Sequence, residues 1–286
     1  MSKPRTTIWD RLQHIDRRVL YTLIFVSVIV PVFLPLSLPT AVSPESQAFF
    51  DAVDALPAGG NVMFAFDFWP STTAETEPLA VATLRHCFQK DLHVIGLSNV
   101  GMGGPSIADR ILHDIGDEYG KRYGEDYINL GYKAGYQAVL LGMATGIGNI
   151  FPTDHNGTRL DALPLARRVT SYDSIQFVVV ITDNIMVDYW VSLVNAQSGV
   201  PMAAGVTAVV APKALSYVQS GQYKGLLGGM KGAAEYEHLL NSPDKASRGM
   251  DSQSLIHLLI IAFVAMGNLG YVVTRRRDAG PPRDRE

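Results

Sequence analysis

Gln176-Phe177-Val178-Val179-Val180-Ile181-Thr182, closed by Asp183-Asn184, is the stretch that decides the fold. Val178, Val179, Val180 and Ile181 are β-branched and stiff at χ1, which favours extended backbone. The run is short and apolar at successive positions, with turn-forming residues after it. That pattern predicts a strand covered on both faces rather than one with a wet side.

The same type of segment recurs on either side of it. Residues 61–68, 92–97, 127–131 and 201–206 read as four more strands. Helical patterns over 73–90, 105–119, 134–143 and 185–197 separate them, and two more helices are expected over 212–219 and 223–240. Strands alternating with helices of this length imply βαβ crossovers and a parallel sheet. The expected fold is therefore α/β: a doubly wound, mostly parallel five-stranded sheet, Rossmann-like, with helices on both faces. Its first helix is announced by Ser43-Pro44-Glu45, which supplies an N-cap serine, a proline at the first helical position and an acid near the positive helix end.

Beyond the domain, the sequence turns to hydrocarbon. Residues 19–38 run VLYTLIFVSVIVPVFLPLSL without a charge, and residues 255–273 run LIHLLIIAFVAMGNLGYVV up to Arg275-Arg276-Arg277. Each is long enough, at about 1.5 Å per residue, to cross a bilayer core of about 30 Å. The sequence thus predicts an integral membrane protein flanked by one transmembrane helix at each end. The expected divisions are a cytoplasmic segment 1–18, a first span 19–39, an extracytoplasmic domain 40–250, a second span 254–274 and a cytoplasmic basic tail 275–286. A cleaved secretory signal is the alternative for the first span, but its apolar run exceeds the usual length of about 7–15 residues. Arg17 and Arg18 before the first span and the arginine cluster after the second place both termini inside by the positive-inside rule. The intervening segment holds 14 Lys/Arg against 22 Asp/Glu, an acidic balance that fits a translocated domain. Gly267, Asn268 and Gly270 are residues of the kind that let spans associate.

Composition excludes several classes. A net charge of −3 offers no footprint for nucleic acid. Cys87 is the single cysteine, so neither an intramolecular disulfide nor a cysteine-ligated metal centre is available. No cofactor is indicated. The partners expected are the lipid bilayer and either further copies of the chain or other membrane subunits.

In open α/β sheets, ligands bind beyond the carboxyl ends of the strands. The residues delivered there are Asp67 with Ser71 and Thr72, Ser98 with Asn99, Lys133, Asp183 with Asn184, and Thr207. These are the candidate ligand-binding residues. The Gly101-Met102-Gly103-Gly104 turn follows the second strand rather than the first, which departs from the dinucleotide fingerprint. Asp67 and Asp183 are placed either to pair across the switch point as a metal or acid/base pair or to cap the helices that follow them. Gly96-Leu97-Ser98-Asn99-Val100-Gly101 comes near a nucleophile elbow, but its second glycine is one place late. The long segment 145–174, containing Asp154-His155-Asn156, is expected at the amino edge of the sheet as a separate surface for oligomer contact. Three functions compete on these grounds: an accessory subunit binding a ligand or protein partner, a membrane-bound hydrolase using Asp67, Ser98 or Asp183, and a structural homo-oligomer.

Overall fold

A computed structural model describes residues 16–34, 36, 38 and 41–278. The chain divides into two compact units, Pro39–Ser247 and the pair of flanking segments Met1–Leu38 and Arg248–Glu286.

Within Pro39–Ser247, helix α2 (Pro44–Asp54) precedes strand β1 (Asn61–Asp67), α3 (Thr73–Gln89), β2 (His93–Ser98) and α4 (Gly104–Glu118). Strand β3 (Tyr127–Tyr132), α5 (Tyr136–Gly142), β4 (Phe177–Thr182) and β5 (Met202–Val206) follow, and then α6 (Ala211–Gln219), β6 (Tyr223–Gly228) and α7 (Gly229–Leu239). Helix α1 (Arg17–Phe33) and helix α8 (Lys245–Asp278) flank these elements in sequence. Ser43 caps α2 as its sequence requires: its side chain accepts a hydrogen bond from the Ser46 N–H, and Pro44 opens the helix.

The strands form one parallel sheet in the order β3-β2-β1-β4-β5-β6. This is the Rossmann order, and the winding reverses between β1 and β4. The sheet has six strands, not five. Residues 223–228 read as the start of a helix because Tyr223, Leu226 and Leu227 fall at helical spacing. Tertiary packing overrides that pattern. A Cβ at Gly225 would lie 2.2 Å from the Phe49 backbone nitrogen, so α2 crosses β6 on a bare backbone. The helix expected over 223–240 is confined to Gly229–Leu239.

Both faces of the sheet are covered, as the unbroken apolar strands demand. Met63, Ile95, Val178 and Val180 pack on one face beneath Leu140, Val187 and Trp190. Phe64, Phe66, Val179 and Ile181 occupy the alternate positions and are also fully buried. Gly96 admits Leu112 of α4, whose methyl would stand 2.6 Å from a Cβ there.

Segment 145–174 departs from its expected place. The His155 N–H donates to the Asn129 carbonyl at 2.8 Å, and His155 rests against Gly131. The segment therefore runs along the outer edge of β3 and reaches its carboxyl end. An uncovered edge strand presents unpaired N–H and C=O groups, and this contact satisfies one of them. The Asp154 carboxylate is buried, accepting from Tyr123 Oη at 2.7 Å and from the Thr158 N–H at 2.7 Å.

Among the described residues, one helix is long and apolar enough to cross a membrane, over Lys245–Arg275. Leu258, Ile261 and Val264 point outward, unlike the residues of a buried core helix. Asn268 donates to the Val264 carbonyl of its own helix at 2.8 Å. Helix α1 has 17 residues, about 25 Å of rise, and ends at Phe33. It is equally oily on its surface, with Tyr21, Phe25 and Phe33 exposed, but it falls short of a span in length. Parts of the expected 19–39 span, and the arginines at 283 and 285, lie outside the described residues. The Asp251 carboxylate accepts from the backbone N–H groups of Leu36 at 3.0 Å and Leu38 at 3.1 Å, and Ser252 Oγ donates to the Val28 carbonyl.

Candidate functional site

The switch point between β1 and β4 collects most of the candidate residues, and it uses them to close the crevice. Asp67 pairs with Thr182 at the last register position of the two strands. Its main-chain carbonyl accepts from Thr182 Oγ1 at 2.9 Å and Asn184 Nδ2 at 2.8 Å. Its carboxylate is fully buried. Oδ1 accepts from the Asn99 N–H at 2.6 Å, and Oδ2 accepts from Trp190 Nε1 at 2.7 Å. Asn99 Nδ2 donates to both oxygens, at 3.1 and 3.0 Å. Burial pushes the carboxyl up to about 6, with the nearby Asp183 charge adding to it, while the donors from Trp190 and Asn99 pull it down.

Asp183 faces a different set of donors. Its Oδ2 accepts from the Trp69 N–H at 3.0 Å and Thr72 Oγ1 at 2.6 Å, which fastens the β1 loop to the β4 loop. The two acids therefore do not share a proton site. Ser98 Oγ donates to the Phe66 carbonyl at 2.7 Å and accepts from the Val100 N–H at 3.1 Å. A hydroxyl so placed has no base beside it. One buried acceptor at the crevice, Asn99 Oδ1, has no hydrogen-bond partner.

The remaining candidates lie apart. Ser71 is exposed on the short 3₁₀ turn Pro70–Thr72. Lys133 reaches the Ile150 carbonyl at 2.5 Å, beside a depression of about 320 Å³ that also takes in Tyr132, Asp154 and His155. Thr207 is buried, and its carbonyl accepts the Val210 and Ala211 N–H groups at the entry to α6. Among the described residues, no three His, Cys, Asp or Glu side chains are grouped to hold a metal ion.

An open cavity exists at the same sheet edge, beyond the carboxyl ends of β5 and β6. It has about 400 Å³, within the range of small-molecule sites. Ala208, Pro212, Leu215 and Leu226 give it an apolar wall, and Gly228 and Gly232 line it without side chains. Its polar end is built on Glu235, which is buried to 1% exposure. Ser43 Oγ donates to Glu235 Oε2 at 2.6 Å, and Lys231 pairs with Oε1. Burial works against the Glu235 charge, but hydrogen bonds from Lys231, Ser43 and Ser46 outweigh it and hold the carboxyl below its ordinary value.

Sequence reading missed this cavity because Ser43 and Glu235 are 192 residues apart in the chain. It also missed Trp190, whose position inside a helical pattern gave no sign of an acid partner.

No family model and no curated protein matches the chain. Among solved structures, a trehalose-6-phosphate synthase aligns at 11% identity with a TM-score of 0.32, over 88% of this chain and 50% of its own. The chain thus spans half the length of that enzyme, and a likeness this loose carries no argument about activity.

Proposed function

We propose that the chain is a membrane-anchored binding protein: an extracytoplasmic Rossmann-like domain that takes a small ligand at the carboxyl edge of its sheet and serves as accessory subunit of a membrane assembly. The cavity beyond β5 and β6 carries this reading. An apolar wall with a single polar end suits a compact ligand that has a hydrocarbon body and one hydrogen-bonding group. The hydrolase alternative gains nothing from the geometry, since Ser98 has no base and the Asp67 carboxylate is enclosed. Anchoring draws support from the exposed apolar helix over Lys245–Arg275. The proposal includes a second crossing by the apolar run 19–38, for which the flanking arginines orient both termini inside.

Purification from mild detergent tests the reading. A small molecule or a further membrane subunit should accompany the chain. Recovery of bare chain, without ligand or companion, contradicts it.

A further inference from the structure

Six large apolar side chains are exposed among the described residues of the domain, and five of them share one edge. Tyr132 ends β3, Met102 follows β2, Trp69 follows β1, Ile185 follows β4 and Val209 follows β5. In the spatial order of the strands they form a row along the carboxyl edge, one from each of five neighbouring strands. At about 4.8 Å between strands, the row extends about 20 Å. Met102 and Val209 are the most exposed of the five, at 72% and 88%.

The row is braced. Tyr132 lies on the Gly101 turn, where a Cβ would meet its ring at 2.8 Å. Gly103 lies against Pro70 in the same way, at 2.7 Å. The Trp69 N–H is held by Asp183, and the Ala208 N–H by Glu75 Oε2 at 2.9 Å. Loops locked to one another keep apolar side chains in water only at a standing cost, which marks the row as a contact surface.

We propose that this edge rests on the lipid bilayer, with Trp69 and Tyr132 at headgroup level and Met102, Ile185 and Val209 dipping beneath. Two observations favour lipid as the occupant. Tryptophan and tyrosine, each with an apolar body and a polar tip, are the residues of membrane interfaces. The row is narrow and linear, which suits shallow insertion better than the broad patch a stable protein partner covers. A chain anchored in a bilayer holds such an edge at high effective concentration, so a weak insertion suffices. This inference rests on the anchored reading above. It also gives the cavity a bilayer-facing mouth and its ligand an amphiphilic character.

The test uses the full chain in phosphatidylcholine vesicles. Met102→Cys and Val209→Cys each carry an environment-sensitive fluorophore, with Ala58→Cys, exposed before β1 at the opposite edge, as control. Native Cys87 is buried and stays unlabelled. Nitroxide-bearing lipid should quench the two edge probes at least twofold more than the control, and aqueous iodide should quench them less. Edge probes that behave like the control overturn the proposal. So does shielding from iodide without lipid quenching, which assigns the edge to a protein or a second copy. Flotation with the vesicles after an alkaline wash is scored in parallel. Chain that floats with a water-exposed edge sinks only the docking, whereas chain that fails to float sinks the anchored reading itself.

Discussion

The indole N–H of Trp190 donates to Asp67 Oδ2 at 2.7 Å inside the domain, joining residues 123 positions apart in sequence. One is the last residue of β1, and the other lies in the π-helical segment Trp190–Asn195 after β4. The bond fastens the two halves of the sheet at the point where its winding reverses. It also fills the crevice where an open α/β sheet would ordinarily take a ligand.

Trp190→Phe should cost about 1.5–3 kcal/mol at pH 8, the range for losing a hydrogen bond to a charged group. The cost should shrink at pH 4, where Asp67 is protonated. Reversible urea unfolding at the two pH values, followed by circular dichroism, checks both numbers.

Asp67 should impose a pH dependence of definite sign. Its carboxyl is raised from 3.8 to about 6 by burial, so between these values the folded state holds a proton that the unfolded state has lost. Stability therefore falls as pH rises from about 4 to about 6 and is level above. The difference is roughly 3 kcal/mol, from about two pKa units at 1.36 kcal/mol each. Asp67→Asn removes that dependence, so the variant should gain on the wild type by this amount between pH 4 and pH 7. A constant difference across that interval would contradict the buried-acid account.

Gly225→Ala should be severe, because the new Cβ meets the Phe49 backbone at 2.2 Å and neither backbone can give way. A loss of about 3 kcal/mol or more is expected, at the upper end for overpacking. Gly221→Ala has open space around it and a φ of +78°, so strain of about 1 kcal/mol is its whole cost. Thermal unfolding of the pair separates the two causes.

Cys87 should be silent toward maleimide in the folded chain. Its side chain is fully buried, and burial pushes the thiol up to about 12, so little thiolate exists at neutral pH. Labelling should follow unfolding only, read by mass at rising urea.

Much of this architecture was legible in the residues. Val178 through Ile181 and Val62 through Phe66 need cover on both faces whatever else the chain does, and the helices between them dictate a parallel sheet. Tyr223–Gly228 was not legible, because its strand state depends on Gly225 letting α2 pass. The candidate residues meet only in part. Asp67, Thr72, Asn99, Asp183 and Asn184 do converge at the switch point, but their mutual hydrogen bonds close it. The cavity lies two strands away, and its polar end joins a residue before β1 to one after β6. No local pattern encodes such a pairing. The row of exposed loop residues was equally hidden, since single apolar residues in turns acquire meaning only once the strand order lines them up.

Native mass spectrometry of the detergent-purified chain, set beside its Ala208→Trp variant, tests the central claim most directly. Ala208 is exposed at the cavity wall, so the indole fills the space without entering the core. The account predicts a small-molecule adduct on the wild type that is missing from a variant with an unchanged circular dichroism spectrum. An adduct of equal mass and occupancy on both proteins, or bare chain in both, would contradict it.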